Sequence, residues 1–249
     1  MIKYFEEDKI EFIVLNRPEK RNALHPQMVK DLIERIDSIK DNVNVSSLII
    51  TGEGKSFCAG ADLEYLYSLK NYSVKENEID SENLAELFLS IYNFPKPTIA
   101  AVNGAAIAGG CGLASVCDFI VANKNDSKFG YSEVRIGFVP AVVSIFLIKK
   151  IGEGKAKKLL MSGEIFDAQK AFEIGLVDYL SSDPVEEAKT LAKNLAKNSG
   201  YSIQLTKQLV HSVSGMSVSE AVNYCIKLNT ISRTSEDFQN SLNNFLLKR

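Results

Sequence analysis

TIAAVNGAAIAGGCGLASVCDFIVA, residues 98–122, is the stretch on which the fold turns. It is apolar enough to imitate a membrane span. However, Asn103 and Asp118 interrupt it, Pro95 and Pro97 stand just before it, and its glycines cluster in the middle instead of pacing a helix. The pattern predicts a buried strand over 98–102, a tight turn of small residues, a short buried helix, and a further strand over 118–122.

Outward from this centre, strand and helix signals alternate. IEFIVLN predicts a strand over 9–16, and VSSLIIT predicts another over 45–51. Between them Val29, Leu32, Ile33, Ile36 and Ile39 recur at helical spacing over 26–40. The polar run 71–83 reads as a mobile loop, followed by a helix to Asn93. Past residue 183 the pattern is all helix. Asp183-Pro184-x-Glu186 is a strong start signal and Ser217-x-x-Glu220 is a capping box, giving expected helices over 184–198, 201–214, 217–233 and 235–247. Alternating strands and helices argue for an α/β fold. The expected organisation is an α/β core over 1–183 carrying the site, and a helical C-terminal lobe over 184–249 suited to oligomerisation.

A chain of 249 residues, 45% apolar and 24% charged, can bury a core without disulfides or a metal. Its net charge of −2 gives no electrostatic case for a nucleic-acid or anionic-membrane partner. Cys58, Cys111, Cys117 and Cys225 make no CxxC pair, and His25 and His211 are the only histidines. A reducing compartment is therefore expected, and neither a zinc site nor a Ser-His-Asp triad. The acidic start MIKYFEEDK lacks an apolar signal core, so the expected location is the cytoplasm.

Two glycine-bearing loops stand out. Ser56 to Leu63 (SFCAGADL) joins a strand to a helix, and Val102 to Leu113 does the same. Each offers main-chain N–H groups at a helix start, where negative charge is welcome. Each also has a plainer explanation. Asp62 can simply cap the helix LEYLYSL, and the second loop can be close backbone packing. Gly110-x-Gly112-x-x-Ser115 approaches a dinucleotide fingerprint, with Glu133 near the distance of a ribose-binding acid. Only residues 113–117 precede the next strand, however, too few for a crossover helix.

Taken together, the motifs resemble the enoyl-CoA hydratase/isomerase (crotonase) family. FCAGADL (57–63) and AAVNGAAIAGGCGLASVCDFIVA (100–122) look like its two oxyanion-hole segments, and NRPEKRNAL (16–24) looks like its coenzyme A contact segment. FGYSE (129–133), MSG (161–163) and AFEIGLV (171–177) extend the resemblance over nearly the whole chain. The resemblance implies a crotonase-like ββα superhelix core and an acyl-CoA thioester substrate. Coenzyme A then enters as part of that substrate, with no separate cofactor. It implies that the N–H groups of Ala61 and Gly109 hold the thioester oxygen and that Glu133 is a catalytic acid/base. Lys20, Arg21, Ala23, Leu24, Ala59, Asp62, Leu63 and Gly110 are implied to line the coenzyme A and substrate site. A homotrimer or dimer of trimers is implied as the assembly.

Three departures bear on the reaction. Gly112 stands where the family's hydratases usually place a second glutamate, AVVSI (141–145) replaces a glycine-rich run, and Ala141 takes the place where dienoyl-CoA isomerases offer an aspartate. Adding water asks for two proton-handling groups, whereas moving a double bond can be done with one. The expectation is therefore a 3-enoyl to 2-enoyl isomerase with Glu133 alone, with enoyl-CoA hydration as the alternative. Acyl-CoA decarboxylase or hydrolase chemistry follows behind, as does a non-catalytic acyl-CoA or RNA binder. Glu64, Tyr65, Tyr67, Tyr131 and Cys111 lie near the loops in sequence, but packing or surface roles fit each of them better.

Overall fold

The computed structural model describes residues 1–247. It opens with a hairpin that the sequence pattern did not predict. β1 (Ile2–Glu7) runs antiparallel to β2 (Ile10–Leu15), and Asp8 and Lys9, both at positive φ, make the two-residue turn between them. β1 is an edge strand with mostly exposed side chains, so it carries no apolar alternation for periodicity to detect.

α1 (Pro26–Ile39) fills the expected span. His25 caps it by accepting the N–H of Gln27, and Met28, Val29, Leu32, Ile36 and Ile39 form its buried stripe. β3 (Ser47–Gly52) follows, then a short strand β4 (Ser56–Cys58) and helix α2 (Leu63–Ser68).

The expected mobile loop over 71–83 is corrected by the structure. α3 (Val74–Tyr92) begins inside it, with Ser73 and Glu76 closing a reciprocal capping box. Its first half faces solvent, and only Leu87, Phe88 and Ile91 near its end are buried. A helix whose opening turns have no core face lacks apolar periodicity, and the box supplies the order that packing does not.

The quoted segment folds as β5 (Thr98–Val102), β6 (Ala105–Ile107), α4 (Gly109–Ser115) and β7 (Phe119–Asn123). Next come β8 (Lys128–Gly130), a single 3-10 turn (Glu133–Ile136), α5 (Ala141–Ile151) and α6 (Glu153–Ser162). β9 (Ile165–Asp167), α7 (Ala168–Glu173) and β10 (Tyr179–Ser181) complete the α/β part. Among the described residues, no helix is long and apolar enough to cross a membrane.

Two sheets organise these elements. The larger has the order β1-β2-β3-β5-β7-β10 and is parallel after the opening hairpin. Ile13, Leu15, Leu48, Ile50, Ala100 and Val102 belong to one core with α1, α3 and α4. Ile10, Phe12, Ile49, Ile99, Ala101 and Val121 belong to a second core on the opposite face. Burial on both faces explains the nearly unbroken apolar runs of these strands. The smaller sheet, β4-β6-β8-β9, is built from three-residue strands, and its first three run parallel. The chain repeatedly leaves the large sheet, adds one strand to the small one and turns into a helix. β3-β4-α2 and β5-β6-α4 are two such ββα units, and β7-β8 feeds the 3-10 turn in the same way.

Beyond residue 183, α8 (Pro184–Leu195) starts at the predicted Asp183 cap and buries Ala188 and Ala192 against the second core. α8 thus packs with the large sheet. α9 (Gly200–Val213), α10 (Val218–Thr234) and α11 (Glu236–Leu247) follow the predicted spans closely, and no residue of α9 or α10 is buried. α9 is tied to the core by a Lys207–Asp118 ion pair at 2.7 Å and by His211 stacked on Tyr92, with centroids 3.8 Å apart.

Ser73→Ala should cost ~1 kcal/mol of stability, the usual worth of an N-cap. Amide exchange should localise the loss to the first turns of α3, with the sheets keeping their protection.

Candidate active site

The candidate site is built at the carboxyl ends of three neighbouring parallel strands. β4 pairs with β6 through Cys58 and Ala106, and β6 pairs with β8 through Ile107 and Gly130. Past these ends come, in turn, Ala61, Gly109 and Glu133. Three residues drawn from positions 61 to 133 are thereby set in adjacent turns, at the strand ends where open parallel sheets usually bind ligands.

The first loop is held from behind by the N-terminal segment. Leu24 bridges Ala61 in parallel, donating to the Gly60 carbonyl at 2.7 Å and accepting from the Asp62 N–H at 2.9 Å. Successive N–H groups of an extended chain point in opposite directions. The N–H of Ala61 is therefore turned away from Leu24. Gly60 has φ +90°, and a Cβ placed on it would lie 2.9 Å from the Ile107 carbonyl oxygen and 3.5 Å from the Gly109 nitrogen. The two loops touch backbone to backbone.

Gly109 opens α4, so its N–H lies in the first helical turn and has no intrahelical acceptor. The preceding Ala108 has φ 49° and ψ −123°, an unusual conformation for a residue with a Cβ. It is fixed by two hydrogen bonds, its own N–H to Gly130 at 2.7 Å and the Gly112 N–H to its carbonyl at 3.0 Å. Gly110 packs directly on β4, where a Cβ would fall 2.1 Å from the Cys58 carbonyl oxygen.

Glu133 starts the 3-10 turn after β8 and is buried, only 7% exposed. Its Oε2 has no hydrogen-bond partner among the described residues. Burial raises its pKa, partly opposed by its own backbone N–H. It lies near Cys111 and Tyr131, whose ionisation its charge opposes. A buried carboxyl with a raised pKa and a free oxygen is suited to taking and returning a proton.

The other expected residues fall into two groups. Ala23 and Leu24 are buried behind the first loop, Ala59 is half-buried, and Ala61 and Leu63 are exposed. Lys20 and Arg21 are also exposed, Lys20 pairing with Glu64 at 2.6 Å. Asp62 has a structural engagement. Its Oδ1 caps α2 by accepting from Glu64 and Tyr65, and its Oδ2 takes the Arg17 guanidinium at 2.8 Å. Burial works against ionisation here, yet Arg17 and the two amides outweigh it and hold the carboxyl below its usual range.

Arg17 also donates to the Ala23 carbonyl at 2.9 Å, and Asn22 reaches the carbonyls of Glu53 and Ser56. Sequence reading marked the segment 16–24 for ligand contact but missed that Arg17 and Asn22 clamp the loop. A buried Arg-Asp pair across 45 residues leaves no local periodicity to detect.

The neighbours weighed as proton carriers are engaged elsewhere. Tyr131 is fully buried, 2.6 Å from the Ser115 hydroxyl, and burial drives its pKa well up. Tyr65 donates to Asp80, with its phenol pushed up by burial and by that carboxylate. Burial pushes the Cys111 thiol up to about 12. The space beside Gly112 is also taken. A Cβ there would lie 2.3 Å from Val143 Cγ1, 2.9 Å from Val143 Cβ and 3.3 Å from Phe88 Cζ.

A family model described as enoyl-CoA hydratase/isomerase matches residues 6–249. A Thermus thermophilus protein assigned by name to the enoyl-CoA hydratases is 39% identical over 246 residues, covering 98% of this chain and 97% of its own. The 2,3-dehydroadipyl-CoA hydratase of Escherichia coli is 32% identical, with 98% and 94% covered. Among solved structures, an enoyl-CoA hydratase from Shewanella pealeana superposes with a TM-score of 0.95 at 31% identity, covering 100% of this chain and 94% of that one.

Two outcomes follow from the two carboxylates. Asp62→Ala should lower the unfolding free energy by about 3 kcal/mol in denaturant titrations, because it strands Arg17 in a nearly closed site. Glu133→Gln should act oppositely. Above the ordinary carboxylate range the unfolded state releases the Glu133 proton more readily than the folded state, so the native residue costs stability there. The variant should melt higher at neutral pH, and its advantage should vanish below that range.

Proposed function

The chain belongs to the enoyl-CoA hydratase/isomerase family, and from that premise we propose that it moves the double bond of a 3-enoyl-CoA thioester to the 2-position with Glu133 as sole acid/base. In this reading the N–H groups of Ala61 and Gly109 donate hydrogen bonds to the thioester oxygen. Ionised Glu133 lifts a proton from C2, the electron pair runs onto that oxygen to give a dienolate, and Glu133 returns the proton to C4. The double bond then lies between C2 and C3, no water is consumed, and coenzyme A leaves with the product as it came. Each preorganised donor contributes ~3–4 kcal/mol to holding the developing oxyanion. Ala23, Leu24, Ala59, Asp62, Leu63 and Gly110 shape or support the substrate site. Lys20 and Arg21 lie at the exposed edge, where coenzyme A phosphates would meet them.

The observation that carries the isomerase preference is the pairing of one buried, unpartnered acid with a Gly112 position that Val143 and Phe88 have closed. Little room is left there for a second carboxyl group or for the water it would activate. The names of the relatives favour hydration instead, so hydration of 2-enoyl-CoA is the second reading. Exposed apolar residues of α9–α11, among them Val210, Val222, Ile226 and Ile231, suit burial against other copies in a trimer or dimer of trimers.

Incubating 2-enoyl and 3-enoyl thioesters in heavy water, with products read by mass spectrometry, separates the two readings. Bond migration without added water is expected, and a 3-hydroxyacyl product would replace isomerisation by hydration. Glu133→Gln should reduce kcat by ~10²–10⁴-fold while thioester binding persists. Because the base must be ionised, kcat/KM should rise with pH through a value above the ordinary glutamate range.

A further inference from the structure

Val143 does more than occupy the room beside Gly112. Phe88 on α3, Gly112 on α4 and Val143 on α5 meet at one level of a three-helix junction, with Phe88 fully buried and Val143 4% exposed. One turn further along each helix stand Tyr92, Val116 and Phe146. Phe146 packs on both Phe88 and Tyr92, with centroids 5.8 and 5.5 Å apart. At that next level the helices do not close. Tyr92, Val116 and Phe146, with Ile203 and Val210 from α9, border a groove of about 920 Å³ that opens to solvent and is also lined by Lys149, Lys150, Lys207 and Asp118.

The reacting end lies on one side of this junction and the groove on the other. Gly109 starts α4, Gly112 follows one turn later, and Val116 opens onto the groove after a further turn. An acyl chain whose carbonyl sits at the start of α4 and runs along that helix meets Val143 soon after its reacting carbons. The isopropyl group of Val143 stands between those carbons and the groove.

We propose that Val143, backed by Phe88, is the wall that ends the acyl pocket, restricting the enzyme to short acyl chains and separating that pocket from the open groove behind it. The proposal rests on the acyl-CoA reading above and names the substrate class within it. A wall made by one β-branched side chain can be moved by one substitution, and an apolar pocket discriminates ~10–200-fold per methylene it refuses.

The test compares four-, six- and ten-carbon enoyl thioesters by kcat/KM. It also compares binding of the matching saturated acyl-CoAs by calorimetry, which needs no turnover. The unmodified protein should lose at least ~tenfold from four to ten carbons in both measurements. Val143→Ala should raise the ten- to four-carbon ratio by ~tenfold or more, with circular dichroism confirming the fold. Adding Thr206→Trp, which narrows the groove from α9, should return the ratio toward its starting value. Equal use and equal binding of short and long chains by the unmodified protein would overturn the wall. So would a folded Val143→Ala variant with an unchanged ratio. If no enoyl thioester turns over while saturated chains still bind by length and Val143→Ala relaxes that limit, the wall stands and the catalytic reading falls.

Discussion

The site depends on two main chains approaching more closely than side chains would permit. Gly60 lies against the Ile107 carbonyl and Gly110 against that of Cys58, each within a distance that a methyl group would violate. Close approach lets two loops from consecutive ββα units present their amides side by side. The short parallel strands β4, β6 and β8 set the spacing, so Ala61, Gly109 and Glu133 are placed by sheet geometry. What lies behind the loops serves that arrangement. The Leu24 bridge turns the Ala61 N–H outward, and the Arg17–Asp62 pair fixes the loop to the N-terminal segment.

The two buried carboxyl groups show how environment divides labour. Asp62 is surrounded by a guanidinium and two helix amides, remains ionised and is committed to architecture. Glu133 has no cation beside it and one oxygen without a partner among the described residues, and burial makes it hold a proton more tightly than an ordinary glutamate. Residue type alone separates neither role. In sequence both are acids beside a small-residue turn, and only the partners brought from residues 17 and 64–65 distinguish them.

Much of this was legible in the chain, for identifiable reasons. The long strands of the large sheet are apolar runs buried on both faces, α1 has a clear apolar stripe, and the late helices begin with explicit caps at Asp183 and Ser217. The loops could be recognised because glycine and alanine are required where a backbone must be bare. β1 was hidden by its exposed edge position, and the first half of α3 by having no core to face. The three-residue strands are too short to show a period. The closure of the Gly112 pocket was half visible. Ala141 to Ile145 signalled a bulkier segment, but only the fold brings Val143 and Phe88 to the same point.

Ala108 has a consequence for how the enzyme ages with heat. It holds a backbone shape that an alanine adopts only at a cost of ~1–3 kcal/mol, and two hydrogen bonds keep it there. Asp8, Lys9, Arg21 and Asn22, the other described non-glycine residues at positive φ, all lie in the first 22 residues. Loss of either Ala108 hydrogen bond on warming would free this peptide, and the Gly109 amide with it, to relax toward a commoner backbone shape.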